Sequence, residues 1–160
     1  MPDQQDLKIL NILQETARIT NSDLAQSTAM ATSPCWRRVR KLEQEGVIRA
    51  YRADVDPKRV GLGVMAFVSV QIDSHSATES TDFEEKVAEL PEVVACYAIA
   101  GGSDFLLQVA ISDLDAYSQF AMTVVRRLPR IRAMTTNFVL KEIKPYAGLP
   151  LLAEKSARGL

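Results

Sequence analysis

Histidine occurs once in the 160 residues, as His75, and cysteine twice, as Cys35 and Cys96. Two distant cysteines without a Cys-x-x-Cys spacing leave no zinc ribbon or redox pair, and a lone histidine supports no His-based triad. No metal or cofactor is expected. The longest apolar stretch, Val60 to Val68, falls well short of the roughly 20 residues a membrane helix needs. The first residues, Met1 to Asp6, are acidic and lack the basic-then-apolar layout of a secretion signal. These absences point to a soluble, cytosolic chain. Its formal charge is only −1, with 24% charged and 47% hydrophobic residues, so wholesale disorder is excluded. At this length the chain can bury about 70% of the surface its unfolded form exposes, so one average or two small domains can stand without a staple.

The small net charge conceals an asymmetry. Residues 1–59 carry 10 basic and 8 acidic side chains, whereas the rest carries 9 and 12. Between Cys35 and Arg52 six basic residues (Arg37, Arg38, Arg40, Lys41, Arg49 and Arg52) meet only two acidic ones, Glu43 and Glu45. A compact basic patch on a nearly neutral chain fits local contact with a polyanion.

Helical spacing governs the first fifty residues. Leu7, Ile9, Leu10, Ile12 and Leu13 form an apolar stripe opened by Asp3 and Asp6, and Thr20-Asn21-Ser22-Asp23 supplies a second helix start. Thr32-Ser33-Pro34 predicts a third, with a capping hydroxyl and a proline in the first helical position, running to a stop at Gly46. Three short helices in this order make a helix-turn-helix. Val47 to Ala53 then alternates, as a ribbon in the position of a wing or as a plain connector. Around the third helix Cys35, Val39 and Leu42 share the core side. Ser33, Arg37, Arg40, Lys41 and Gln44 lie roughly opposite, with Trp36 on the flank and Arg38 beside the core stripe. Arginine can grip guanine edges or phosphates, and the start of such a helix enters a major groove, where the hydroxyls of Thr32 and Ser33 would meet phosphates. Thr32, Ser33, Trp36, Arg37, Arg38, Arg40 and Lys41 are therefore the expected contacts to double-stranded DNA. Trp36 fits equally a place under the wing. Cys35, on the buried stripe, reads as a core residue.

From residue 64 strands alternate with helices. Strands are predicted over 64–72, 93–100, 105–111 and 132–143, and helices over 80–90 and 114–128. Phe83…Val87…Leu90-Pro91 echoes Phe120…Val124…Leu128-Pro129, so the βαββαβ order is pseudo-symmetric. That is the ferredoxin-like plan, an antiparallel sheet with both helices on one face. The strands are apolar on both sides, so the open face should be buried against another copy. The expected organisation is α+β: a winged helix-turn-helix over 1–52, a linker over 53–63, a ferredoxin-like domain over 64–145 and a tail over 146–160.

The chain resembles the Lrp/AsnC (feast/famine) family of transcription regulators. The resemblance rests on Asp6-Leu-Lys-Ile-Leu, Arg18-Ile-Thr-Asn-Ser-Asp-Leu-Ala25, Ser33-Pro-Cys-Trp-Arg-Arg-Val-Arg-Lys-Leu-Glu43, Gly46-Val-Ile-Arg-Ala-Tyr51, Gly101-x-x-Asp104 and Leu128-Pro129. It implies a homodimer assembling further, commonly to an octamer, with a small effector, often an amino acid, between dimers. Carried over residue by residue, it places the effector against Gly101, Gly102, Ser103, Asp104, Met134 and Thr136. Glycine N–H groups could take a carboxylate and Asp104 an ammonium, although Gly-Gly-Ser-Asp is equally a hairpin turn. Ala29 and Ala31 stand where the family commonly has Gly and Ser, with Thr32 and Ser33 left to cap. A DNA-binding regulator responding to an amino acid is the expected function. The alternatives are an effector-independent architectural protein and an enzyme of the sirohaem-decarboxylase type, which shares the two-domain plan and would need His75.

Overall fold

The structure, a computed structural model, describes residues 1–73 and 77–151; His75 lies outside them. The chain divides into two compact units, Met1–Asp54 joined by the C-terminal stretch from Ile143, and Val55–Glu142.

In the first unit α1 spans Gln4–Glu15 and opens with reciprocal caps. The Asp3 carboxylate accepts from the Asp6 N–H at 2.9 Å, and the Asp6 carboxylate from the Asp3 N–H at 3.0 Å. Helix α2 covers Asn21–Ser27, with Thr20 Oγ1 accepting from the Asp23 N–H at 3.1 Å. Ala29 makes the turn that follows with φ of 55°, a left-handed conformation costing an alanine roughly 1–2 kcal/mol, which is why glycine suits this position. Helix α3 covers Thr32–Gln44. Its buried Cys35, Val39 and Leu42 meet Ile9 and Leu10 of α1 and Leu24 and Ala25 of α2, the core the helical spacing indicated.

One detail of α3 departs from the sequence reading. The N-cap is Ala31, which offers no side-chain bond, so Thr32 and Ser33 are the first two helical residues and Pro34 the third. At the far end Gly46, with φ of 70°, donates its N–H to Glu43 O at 3.0 Å, as a left-handed cap does. The residues after it form no ladder: 47–56 are irregular, so the alternating stretch is no ribbon within this chain. Alternation alone does not make a strand, because a ladder needs a partner for its N–H and C=O groups. Of the expected tail the described residues, 146–151, are held to the α-helical unit. Gln14 Nε2 donates to Leu149 O at 3.1 Å, Leu149 N–H donates back to Gln14 Oε1 at 2.6 Å, and Leu151 packs against the α-helical core.

In the second unit β1 (Val64–Ile72), α4 (Ala77–Ala88), β2 (Val93–Ala98), β3 (Phe105–Ile111), α5 (Leu114–Thr123) and β4 (Ile131–Phe138) follow the expected βαββαβ order. All three strand pairings are antiparallel and the sheet order is β2-β3-β1-β4. Ala66, Val68 and Val70 alternate into a core shared with Phe83 and Val87 of α4 and Tyr117 and Phe120 of α5, so both helices cover one face. Helix α5 ends at Thr123 and gives way to a 3₁₀ turn at Val125–Arg127, which together reach almost to the expected helix end at 128. Strand β4 ends at Phe138, five residues before the expected 143. Cross-strand partners share a face, so Val68↔Thr136 and Val70↔Met134 place Thr136 and Met134 under the helices. Ser69, Gln71 and Thr135 belong to the opposite, open face.

Candidate nucleic-acid and effector sites

Helix α3 turns a polar face to solvent because its apolar residues recur at helical spacing and are consumed by the core. Thr32, Ser33, Trp36, Arg37, Arg40 and Lys41 are all exposed, as expected. Without a side-chain cap, the N–H groups of Thr32 and Ser33 make no hydrogen bond among the described residues, leaving the positive end of the helix open to an anion.

The cations on this face differ in how they are held. Arg37 has no ion pair among the described residues. Arg40 Nη1 lies 3.4 Å from Glu43 Oε2, and its guanidinium sits 5.7 Å from the centre of the Trp36 ring. Lys41 Nζ lies 3.7 Å from Glu45 Oε1. Both pairs are exposed and add little to stability. Arg38 departs from the expected set. Its Nη1 contacts Asp3 Oδ2 at 2.6 Å and Asp6 Oδ1 at 2.7 Å, so it ties α3 to the start of α1. Hydrogen bonds from Asp6 N–H and from Arg38 hold the Asp3 carboxyl below the usual carboxylate range, and its two carboxylate partners raise Arg38.

Beyond α3, Tyr51 donates from its hydroxyl to Glu43 Oε1 at 3.0 Å. Burial, then the Glu43 carboxylate, pushes its phenol up to about 12. Leu13, Ile19, Trp36, Arg40, Glu43 and Tyr51 help to line a cleft of about 270 Å³ beside the helix. Arg49 and Arg52 are exposed and extend the basic surface past the helix end.

The second expected site is only partly assembled. Gly102 and Ser103 meet Ser69, Gln71, Ala133 and Thr135 at a depression of about 160 Å³, which Met134 also borders although the strand register sets its side chain on the helix-covered face. Gln71 Nε2 donates to Gly102 O, tying the loop to β1. Asp104 does not line the depression. Its Oδ2 accepts from the Ile72 N–H at 2.9 Å, where the pairing of β1 with β4 shifts register. That bond satisfies a backbone donor a bulge would otherwise strand, and its second oxygen has no hydrogen-bond partner among the described residues. Gly101, with φ of 148°, stands on the same loop outside the lining. Thr136 is removed from the site altogether, because its hydroxyl bonds that of Tyr117 on the helix-covered side. Ser69, Gln71 and Thr135 take its place. In β1 the polar Ser69 and Gln71 alternate with the apolar Val68 and Val70, a contrast by which sequence separates the two faces; Thr135 and Thr136, two identical neighbours, carry no such signal.

Comparison with known proteins follows the same division. Residues 2–49 match the winged helix-turn-helix DNA-binding model, and residues 65–149 match the Lrp/AsnC ligand binding domain. The DNA-binding transcriptional activator DecR of Escherichia coli K12 is 33% identical over 151 residues, covering 94% of this chain and 99% of its own length. The leucine-responsive regulatory protein of Haemophilus influenzae is 31% identical, with 89% and 86% covered. Among solved structures, a transcriptional regulator of Neisseria meningitidis in complex with L-Met superposes with a TM-score of 0.89 at 39% identity, covering 95% of this chain and 98% of that one. An AsnC family regulator of Agrobacterium tumefaciens gives 0.87 at 41%, with 94% and 97% covered. Among the described residues no helix is long and apolar enough to cross a membrane.

Proposed function

The chain belongs to the Lrp/AsnC family of DNA-binding transcriptional regulators, and from that premise we propose that α3 reads duplex DNA while an amino acid bound at the second unit tunes assembly. The observation carrying the first half is the open face of α3: an Arg37 without an ion pair among the described residues, beside exposed Thr32 and Ser33 whose N–H groups likewise have no hydrogen-bond partner among them. Arg37 and Arg40 reach base edges, Lys41 and the two hydroxyls take phosphates, and Trp36 flanks the groove. Arg38 braces the fold instead of meeting DNA.

The amino-acid reading is supported by the L-Met complex of the Neisseria protein and by the leucine-responsive Haemophilus relative. The N–H groups about Gly102 and Ser103 suit a carboxylate, and Gln71 and Thr135 supply polar walls. Asp104 lies on the same loop outside that depression, where one of its oxygens is committed to the Ile72 N–H, so its part is to hold the loop against β1. The open sheet face carries Phe67, Leu106 and an exposed Tyr97, apolar surface that a second copy would cover, and dimers would assemble further, to an octamer. The protein acts in the cytoplasm and performs no catalysis.

Selection of duplexes from a random-sequence pool, followed by thermal shifts with each of the twenty amino acids, tests both halves. A pseudo-palindromic consensus with half-sites about one helical turn apart is expected. At least one amino acid should stabilise the protein, by about 2.7 kcal/mol at a hundred times its dissociation constant. Enrichment of no sequence would refute the first half. A consensus without any stabilising amino acid would favour an effector-independent architectural protein.

A further inference from the structure

We propose that Tyr51 is a positioning residue for DNA binding, which acts through Glu43 to keep the Arg40 guanidinium available to the duplex; this rests on the assignment of α3 as the DNA-reading helix. Glu43 stands between them. One carboxylate oxygen accepts the Tyr51 hydroxyl at 3.0 Å, and the other faces Arg40 Nη1 at a long 3.4 Å. The Glu43 side chain is 30% exposed and Arg40 55%, so the pair is loosely held and easily exchanged for a phosphate or base.

A carboxylate that already accepts a strong O–H donor has less charge to offer a second partner. Deprived of that donor, Glu43 would close on Arg40 and compete with the nucleic acid for it. The Tyr51 hydroxyl is a neutral donor at working pH, since burial and the Glu43 carboxylate push its phenol up to about 12. Trp36 completes the arrangement by holding the guanidinium 5.7 Å above its ring, a sequence-neutral resting place on the exposed side of the helix. Tyr51 lies seven residues past the end of α3, so the segment after Gly46 contributes to the site without forming a wing ribbon in this chain.

A double-mutant cycle tests this on the full-length protein, with a duplex selected by the wild type from a random pool. Removing one hydrogen bond in Tyr51→Phe should weaken binding about 3- to 10-fold with unchanged melting temperature. Glu43→Gln should bind more tightly than wild type. In the Glu43→Gln background, and equally in Arg40→Ala, adding Tyr51→Phe should change nothing, since the route through the carboxylate is gone. An equal effect of Tyr51→Phe in all backgrounds, or none in the wild type, would overturn the proposal. Failure of the wild type itself to bind any duplex would instead overturn the reading of α3.

Discussion

Arg37→Ala should weaken binding to a selected duplex by about 1–3 kcal/mol, roughly a factor of 5 to 150, while leaving the fold intact. The size follows from what the side chain lacks. Among the described residues Arg37 has no carboxylate or carbonyl partner, so no internal bond must break before it meets a base. Its removal leaves no buried group orphaned, and exposed substitutions of that kind change stability by no more than about 0.5 kcal/mol. A base-reading arginine also discriminates, so Arg37→Ala should relax preference at one position of each half-site. A loss spread uniformly over all sequences would make it a phosphate contact instead. Fluorescence-anisotropy titrations against the consensus and its point variants separate the two.

Arg38→Ala should behave in the opposite way, lowering the stability of the α-helical unit by about 2 kcal/mol with little direct effect on base preference. Asp6 has an 11% exposed side chain, and Arg38 supplies its contact at 2.7 Å along with that to Asp3 at 2.6 Å. Charge-assisted bonds to a largely buried carboxylate are each worth roughly 1.5–3 kcal/mol, and solvent access to Arg38 trims the sum. The brace fixes α3 against the first turn of α1, so its loss should also raise hydrogen exchange across residues 4–10. Urea unfolding followed by tryptophan fluorescence measures the effect, since Trp36 sits on α3. A variant as stable as wild type with altered base preference would return Arg38 to the DNA-reading set.

What the sequence disclosed and what it withheld divide along physical lines. Cys35, Val39 and Leu42 were legible as the buried stripe of α3 because a 3.6-residue period reports a face directly, and the βαββαβ order was legible from the change of period after residue 64. The role of Arg38 was not, because its partners lie 32 and 35 positions away and only tertiary packing brings them near. With Pro34 in the first helical position the hydroxyl before it, Ser33, read as the cap, yet the helix begins two residues earlier, after an alanine cap at Ala31. The Val47–Ala53 stretch has the alternation of a strand but no partner strand among the described residues. In β4 a one-residue choice of register sends a side chain to the other face of the sheet. Thr135-Thr136 offers no chemical contrast to decide it; only the pairing Val68↔Thr136 does.

The open side of α3 can be examined without any substitution, by modifying arginines with phenylglyoxal and mapping the products by mass spectrometry, with and without a saturating selected duplex. Arg37 and Arg40 should react readily in the free protein and be shielded several-fold by the duplex, while Arg126 and Arg127, exposed in the other unit, react alike in both samples. Equal reactivity of Arg37 and Arg40 in the presence and absence of bound duplex would contradict the assignment of this helix as the DNA-reading element.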